Sequence, residues 1–160
     1  MSRLDSSIRR LQAQRGCLDW ACEAIAGIPG IVIELGLGNG RTYDHLRERF
    51  GAGREIYAFD RRLAAHPACV PPADRLLLGE LREILPRFAG GPVALAHADL
   101  GSGDGLESAA LARWLGPALA PLMARGGIAL SDQALADPRL SPLALPATVP
   151  DGRYFAYRRV

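Results

Sequence analysis

Glycines at alternate positions follow an apolar run in residues 34–40, which read Glu-Leu-Gly-Leu-Gly-Asn-Gly. A glycine turn between a strand and a helix lets the backbone approach a ligand closely, as is typical of nucleotide-binding sites. A dinucleotide fingerprint G-x-G-x-x-G that starts at Gly36 requires glycine at position 41, where this chain has Arg41. The spacing therefore predicts a nucleotide site and disfavours an NAD(P) oxidoreductase.

Acidic residues end the next two apolar runs. Asp60 follows Gly40 by 20 residues, the separation at which a carboxylate accepts hydrogen bonds from ribose hydroxyls. Arg61 and Arg62 would instead favour a 2′-phosphate, which Asp60 would repel, so solvent-exposed arginines are the preferred interpretation. Glu80 stands where the dipole at a helix N-terminus favours a carboxylate.

A histidine and an aspartate at alternate positions, His97 and Asp99, end a further apolar run and share one strand face. Asp99 is a candidate for a functional carboxylate at this strand end. His97 is a weaker catalytic candidate, because a histidine at the end of a sheet is more often a hydrogen-bonded structural residue. No lysine occurs in the chain, which excludes a lysine nucleophile or Schiff base.

Short apolar runs alternate with helical patterns along the chain. Strands are predicted at 31–35, 55–59, 75–78, 93–98 and 127–131, and helices at 42–50 and 80–88. A further helix is predicted through Leu111, Trp114 and Leu115, capped by Asp104, with Pro117 starting another turn. This alternation predicts an α/β fold with a doubly wound, mostly parallel sheet that binds its ligand at the carboxyl ends of the strands.

The two ends of the chain lie outside this alternation. Residues 1–27 predict two short helices, or one helix kinked near Gly16. Residues 143–160 predict a hairpin that turns at Asp151 and Gly152. The loop 61–72 contains three prolines and predicts at most one turn of helix.

The glycine turn matches the pattern E/D-x-G-x-G-x-G and resembles motif I of the class I S-adenosylmethionine-dependent methyltransferases. The resemblance implies a Rossmann-like core, S-adenosyl-L-methionine as cofactor and methyl transfer to an acceptor. It implies the following cofactor-binding residues: Glu34, Gly36, Leu37, Gly38, Gly40, Asp60, Gly79, Glu80, Leu81 and Asp99. It also implies that Glu80 accepts a hydrogen bond from the adenine amino group, and that Asp99, near the methyl group, is the best candidate for positioning the acceptor or acting as a general base. The strings at 38–46, 131–133 and 152–155 resemble a narrower group of short bacterial proteins classed as methyltransferases by fold, with no known substrate.

A magnesium site is a further alternative. Asp99, Asp132 and Gln133 resemble the Asp…Asp-Asn triad of catechol-type O-methyltransferases, whose oxygen ligands suit Mg²⁺. Glutamine stands where that triad has asparagine, so we expect a metal-independent protein.

Length and composition favour one domain over residues 1–160, with N-terminal helices at 1–27, a cofactor-binding core at 30–133 and a loop and hairpin at 134–160. A net charge of +2 argues against nucleic-acid or membrane partners and favours a small-molecule acceptor, while a homo-oligomer stays open. Three cysteines without C-x-x-C spacing indicate free thiols in a reducing cytoplasm. We find no signal peptide or membrane-spanning pattern.

Two alternatives keep the same cofactor site. One is an aminopropyltransferase that uses decarboxylated S-adenosylmethionine, although the acidic polyamine pocket it requires is not evident. The other is a non-catalytic cofactor-binding or assembly protein. The acceptor pocket is expected from the N-terminal helices, with Gln12, Gln14 and Arg15 as candidates, and from segments 101–105 and 134–150.

Overall fold

The computed structural model describes residues 2–101, 105–150 and 152–160, and within them seven strands form one sheet in the order β3-β2-β1-β4-β5-β7-β6. Neighbours among β1 to β5 are parallel, and β7 pairs antiparallel with both β5 and β6, so only β7 runs in the opposite direction. The strands are β1 Ile31–Leu35, β2 Ile56–Asp60, β3 Leu76–Leu78, β4 Val93–Ala98, β5 Met123–Ser131, β6 Leu140–Leu143 and β7 Phe155–Arg159. The mostly parallel α/β sheet predicted from the sequence is confirmed.

Four α-helices in the described residues cover the sheet: α1 Arg3–Ala24, α2 Arg41–Phe50, α3 Leu81–Ile84 and α4 Gly105–Leu119. Strands β1 and β4 are buried along their whole length, which explains their continuous apolar runs. On one face the core includes Leu18 of α1 and Leu46 of α2, and on the other it includes Leu85 and Leu115. The strand order reverses between β1 and β4, and the carboxyl ends at this switch point are where such sheets bind ligands.

Helix α1 is continuous through Gly16, so the expectation of two short helices is wrong. A glycine inside a helix costs about 1 kcal/mol relative to alanine, which tertiary packing can outweigh. Ala13 and Cys17, on either side of Gly16, are both wholly buried against the core. The helix starts with a capping box between Ser2 and Asp5.

The predicted elements differ from the structure mainly at prolines and in the last third of the chain. The helix predicted at 80–88 ends as α3 at Ile84, and a 3₁₀ turn at Leu85–Arg87 follows, because Pro86 has no N–H to continue the α-helix. Pro117 does not start a new turn but lies within α4. The hairpin is formed by β6 and β7, so its first strand lies earlier than expected. Asp104 and Asp151 lie outside the described residues.

None of the helices in the described ranges has the length and apolar character needed to cross a bilayer.

Candidate functional site

A cavity of about 560 Å³ opens at the carboxyl ends of β1 to β4 and is called the main cavity below. Its volume lies within the range typical of small-molecule sites. Most of the cofactor-binding residues expected from the sequence line it: Gly36, Gly38, Asp60, Gly79, Glu80, Leu81 and Asp99. The fold thus brings together side chains from four separate strand ends.

Two glycines of the turn, Gly36 and Gly40, pack closely against other parts of the protein, and the third, Gly38, does not. Gly36, Gly38 and Gly40 all have positive φ, at +86°, +53° and +85°. A Cβ on Gly36 would lie 2.8 Å from the carbonyl oxygen of Asp99, and one on Gly40 would lie 2.6 Å from Cβ of Cys69. A Cβ on Gly38 would meet nothing within 4 Å. Gly36 and Gly40 therefore permit close packing, while Gly38 borders open space in the main cavity.

Asp60, the last residue of β2, is hydrogen-bonded to the glycine turn that follows the neighbouring strand β1. Its Oδ2 accepts a hydrogen bond from the backbone N–H of Gly38 at 2.8 Å, and its Oδ1 accepts one from the backbone N–H of Arg61 at 2.7 Å. A carboxylate oxygen can accept more than one hydrogen bond, so Asp60 retains capacity toward the cavity that it lines.

Glu80 lies at the rim of the main cavity. It forms an ion pair with Arg61 at 3.3 Å, and both side chains are exposed, so the pair contributes little to stability. Glu80 occupies the N-cap position of α3 without making a side-chain capping hydrogen bond. Its carboxylate is therefore accessible to a ligand in the cavity.

Asp99 lies where three cavities meet. Oδ2 of Asp99 accepts hydrogen bonds from Nη1 of Arg10, at 3.2 Å, and from Nε2 of Gln14, both on α1. Among the described residues, no hydrogen bond is donated to its Oδ1. The helix α1 thereby orients the carboxylate and leaves one oxygen available.

Two smaller cavities adjoin Asp99. The second cavity, about 190 Å³, lies between α1 and the glycine turn and is lined by Arg10, Leu11, Gln14, Gly36, Leu37, Gly38, Asn39, Arg41, Thr42 and Asp99. The third cavity, about 440 Å³, is lined by Arg10, Asp99, Gly101, Asp132, Gly152, Arg153 and Tyr154. Because β7 runs against the other strands, the residues before it lie at the same edge of the sheet as the ends of β1 to β5.

A chain of buried polar side chains runs beneath the site. Nδ1 of His97 lies 2.8 Å from Oε2 of Glu34, and Nε2 lies 3.1 Å from the hydroxyl of Tyr154. That hydroxyl accepts a hydrogen bond from Nε2 of Gln14 at 3.0 Å, and the hydroxyl of Thr42 donates to Oε1 of Glu34. Burial, together with the charge of Asp99, raises the pKa of Tyr154 far above its ordinary value, so its hydroxyl stays protonated.

These contacts change the interpretation of Glu34 and His97. Both side chains are wholly buried, and neither lines any of the three cavities. His97 therefore does not reach an acceptor, and we assign it to the support of Tyr154. Glu34 holds Thr42 at the start of α2, and Gly40 likewise packs below the cavity.

The buried pair makes stability depend on pH. Burial opposes the charged form of His97, but the nearby Glu34 carboxylate outweighs it, so the pKa of His97 is raised from its ordinary value near 6.5. A raised folded-state pKa stabilises the fold below about pH 6.5, and this contribution is lost as pH rises through the folded pKa. We expect the stability advantage of wild type over His97→Gln, measured by urea unfolding, to shrink as pH rises above about 6.5. An advantage of wild type over His97→Gln that grows with pH would contradict the assignment.

The residues of the magnesium alternative do not fit a cation site. Asp132 accepts hydrogen bonds from the backbone N–H of Gly101 at 2.9 Å and from Nε2 of Gln133 at 3.2 Å. Gln133 therefore presents a donor to Asp132, and the Asp99 carboxylate is engaged by Arg10. No group of three or more His, Cys, Asp or Glu side chains in the described ranges is arranged to hold a metal. We derive no step through a metal ion.

Several residues around Asp99 were not predicted from the sequence. Arg10 lies far from Asp99 in sequence and carries no local motif, and Arg153 and Tyr154 belong to the string 152–155, which was not assigned to the site. Gln14 was considered as one of three candidates on α1, and the structure places it on Asp99. The other two, Gln12 and Arg15, line a groove between α1 and α2 that shares Leu11, Gln14, Arg41 and Thr42 with the second cavity. Residues 152–154, rather than the expected segment 134–150, line the third cavity, and 102–104 lie outside the described residues.

Comparisons with known proteins point to one family. A family model described as S-adenosyl-L-methionine methyltransferase matches residues 1–159. The crystal structure of an S-adenosyl-L-methionine methyl transferase from Silicibacter pomeroyi DSS-3 is 45% identical, with a TM-score of 0.92 over 100% of this chain and 99% of that chain. No curated protein matches the sequence.

More distant structures share the fold alone. CalS11, a TDP-rhamnose 3'-O-methyltransferase of calicheamicin biosynthesis, is 21% identical with a TM-score of 0.61, over 88% of this chain and 76% of that chain. The cofactor-bound Rv0187 from MTB is 17% identical, also with a TM-score of 0.61, over 94% of this chain and 87% of that chain.

Proposed function

The chain belongs to the S-adenosyl-L-methionine methyltransferase family, and we propose that it binds this cofactor in the main and second cavities and methylates a small-molecule acceptor beside Asp99. The observation that carries the proposal is the convergence of the glycine turn, Asp60, Glu80 and Asp99 on one cavity at the switch point of the sheet. The residues fit the cofactor, because the cavity offers a carboxylate for ribose hydroxyls and open backbone at Gly38.

Each part of the cofactor has a matching group in this chain. Asp60 would accept hydrogen bonds from the ribose hydroxyls, and Glu80 would accept one from the adenine amino group, with Leu81 providing apolar contact. The α-carboxylate of the methionine part suits the second cavity, where Arg41 supplies a positive charge while Arg10 is paired with Asp99. Arg41 is exposed and has no ion-pair partner among the described residues, so its charge is available.

When bound, the cofactor supplies an activated methyl group that a nucleophilic atom of the acceptor takes by in-line displacement. The protein's contribution is alignment, which can lower a barrier by about 7–11 kcal/mol in favourable cases. Oδ1 of Asp99 would accept a hydrogen bond from an acceptor O–H or N–H and orient it, and can take up the proton that a hydroxyl acceptor releases. Arg10 and Gln14 hold the carboxylate in place.

The volume of the third cavity supports a small acceptor. At about 440 Å³, it has the volume of a small-molecule site rather than that of an extended macromolecular surface.

The cysteines support a cytoplasmic location. Cys17 and Cys22 are free and buried, and burial raises the pKa of the Cys17 thiol to about 12, so it stays protonated. Free, protonated thiols suit a reducing compartment.

Calorimetric titration tests the cofactor and separates the alternatives. We expect saturable binding of S-adenosylmethionine and S-adenosylhomocysteine, and none of NADH or NADPH. Decarboxylated S-adenosylmethionine lacks the carboxylate that Arg41 would bind, so it should bind at least about tenfold more weakly. Tighter binding of the decarboxylated form would favour an aminopropyltransferase, and binding of NAD(P)H alone would overturn the proposal.

Turnover separates a methyltransferase from a protein that only binds the cofactor. Methyl-labelled S-adenosylmethionine is incubated with the protein and a broad panel of hydroxyl, amine and thiol acceptors. Label should pass to an acceptor in the presence of wild type and should not in the presence of Asp99→Ala. Binding without transfer to any acceptor would favour the non-catalytic alternative.

A further inference from the structure

The third cavity contains an arginine that forms no ion pair among the described residues. Arg10 is paired with Asp99, and Asp132 accepts hydrogen bonds from Gly101 and Gln133. Arg153 is exposed and makes no ion pair or side-chain hydrogen bond with any residue in 2–101, 105–150 and 152–160. Its guanidinium is therefore available to a ligand of the cavity that it lines.

The backbone that carries Arg153 is anchored. Tyr154, the next residue, is buried and hydrogen-bonded to both His97 and Gln14. Gly152, the preceding residue, adopts a φ of +71°, which turns the chain before β7. This buried anchor fixes the backbone next to Arg153, and Arg153, Tyr154 and Asp99, which follows β4, line the same cavity.

We infer that the methyl acceptor carries a carboxylate, which Arg153 binds while a hydroxyl or amine of the same molecule lies at Asp99. This inference rests on the proposed function. A guanidinium donates two parallel hydrogen bonds to a carboxylate, so the pair provides orientation as well as affinity. A phosphate monoester would bring a second negative charge toward Asp99 and Asp132, which disfavours it relative to a carboxylate.

The test compares acids with their primary amides, which keep the shape and lose the charge. The protein is loaded with S-adenosylhomocysteine and screened by ligand-observed NMR against a panel of such pairs, including meta-hydroxybenzoate with meta-hydroxybenzamide and meta-aminobenzoate with meta-aminobenzamide. We expect acids to bind at least about tenfold more tightly than their amides. Arg153→Gln should remove this difference, and Arg153→Lys should retain part of it because the charge remains.

A second arginine provides the matched control. Arg158 lies on β7, is exposed and lies outside the third cavity, so Arg158→Gln should leave the preference for acids unchanged. Titration of each variant with S-adenosylhomocysteine separates the two proposals, because Arg153 lies outside the main and second cavities. Failure of wild type to bind S-adenosylhomocysteine would overturn the proposed function. If wild type binds S-adenosylhomocysteine normally, the proposed function stands. In that case, the inference about the carboxylate is overturned if no acid binds, or if acid binding is unaffected by Arg153→Gln.

Discussion

Replacing Asp60 with alanine is expected to weaken binding of S-adenosylmethionine by at least about 100-fold. Hydrogen bonds to a charged acceptor contribute about 1.5–3 kcal/mol each, and the ribose offers two hydroxyls to this carboxylate. The substitution also removes the acceptor that holds the backbone N–H of Gly38. Both losses act on the cofactor site, and isothermal titration calorimetry of wild type and variant measures their sum.

Two further variants separate binding from folding. Asp60→Asn keeps one oxygen acceptor for the Gly38 N–H and lacks the charge, so it should fold like wild type and still bind the cofactor about tenfold more weakly. Asp74 is an exposed aspartate just before β3 and outside the main cavity, so Asp74→Ala should leave affinity unchanged. Affinity of Asp60→Ala within threefold of wild type would show that the ribose is not bound here.

The glycine turn and Asp60 were predictable because their signal is local. Strand β1, the glycine turn and α2 follow one another within residues 31–50. The alternation of strands and helices is then enough to predict that the end of β2 lies beside the turn. Parallel β1 and β2 are adjacent, so the two strand ends meet without any contact having to be predicted from side chains.

The environment of Asp99 was not predictable, because it depends on contacts that are distant in sequence. Arg10 and Gln14 are 89 and 85 residues away from Asp99, and Tyr154 is 57 residues away from His97. Periodicity marks the buried face of α1 but does not say which strand end it covers. The reversed direction of β7, which brings Tyr154 and Arg153 to the site, is likewise a property of the whole sheet.

The continuity of α1 shows the same limit. Gly16 is an unfavourable helix residue, and local propensity alone predicts a break there. Ala13 and Cys17 are buried on the same face as Gln14, so the packed core maintains the helix and with it the position of Gln14 on Asp99. A local sequence rule therefore failed at an element that also builds the site.

Gly36→Ala should be among the most damaging single substitutions in the chain. A residue with φ of +86° strains any L side chain by about 1–2 kcal/mol, and the added Cβ would lie 2.8 Å from the carbonyl oxygen of Asp99. Overpacking against backbone costs a further 1–3 kcal/mol or so. We expect a loss of about 3 kcal/mol in the free energy of unfolding, seen as a fall of roughly 6–12 °C in Tm by differential scanning calorimetry.

Gly51→Ala controls for backbone strain alone. Gly51 has a φ of +53°, lies after α2 away from the cavities, and has open space where its Cβ would be placed. Gly51 also has a ψ of −132°, a combination that alanine rarely adopts, so Gly51→Ala should cost about 1–3 kcal/mol in backbone strain alone and leave cofactor affinity unchanged. A stability of Gly36→Ala equal to that of wild type would show that the close approach to Asp99 is unimportant.

Gly38→Ala separates stability from binding within the turn itself. Its Cβ would also meet no protein atom, so Gly38→Ala should cost only the backbone strain of its φ of +53°, about 1–2 kcal/mol. Gly38 lines the main cavity, however, so its new methyl group should weaken binding of S-adenosylmethionine, whereas Gly51→Ala should not affect binding.

Gly36 links the two parts of the proposed site, because it lies in the glycine turn and packs against the backbone of Asp99. The residue that allows the turn to form beside the cofactor therefore also fixes the backbone of the carboxylate proposed to orient the acceptor.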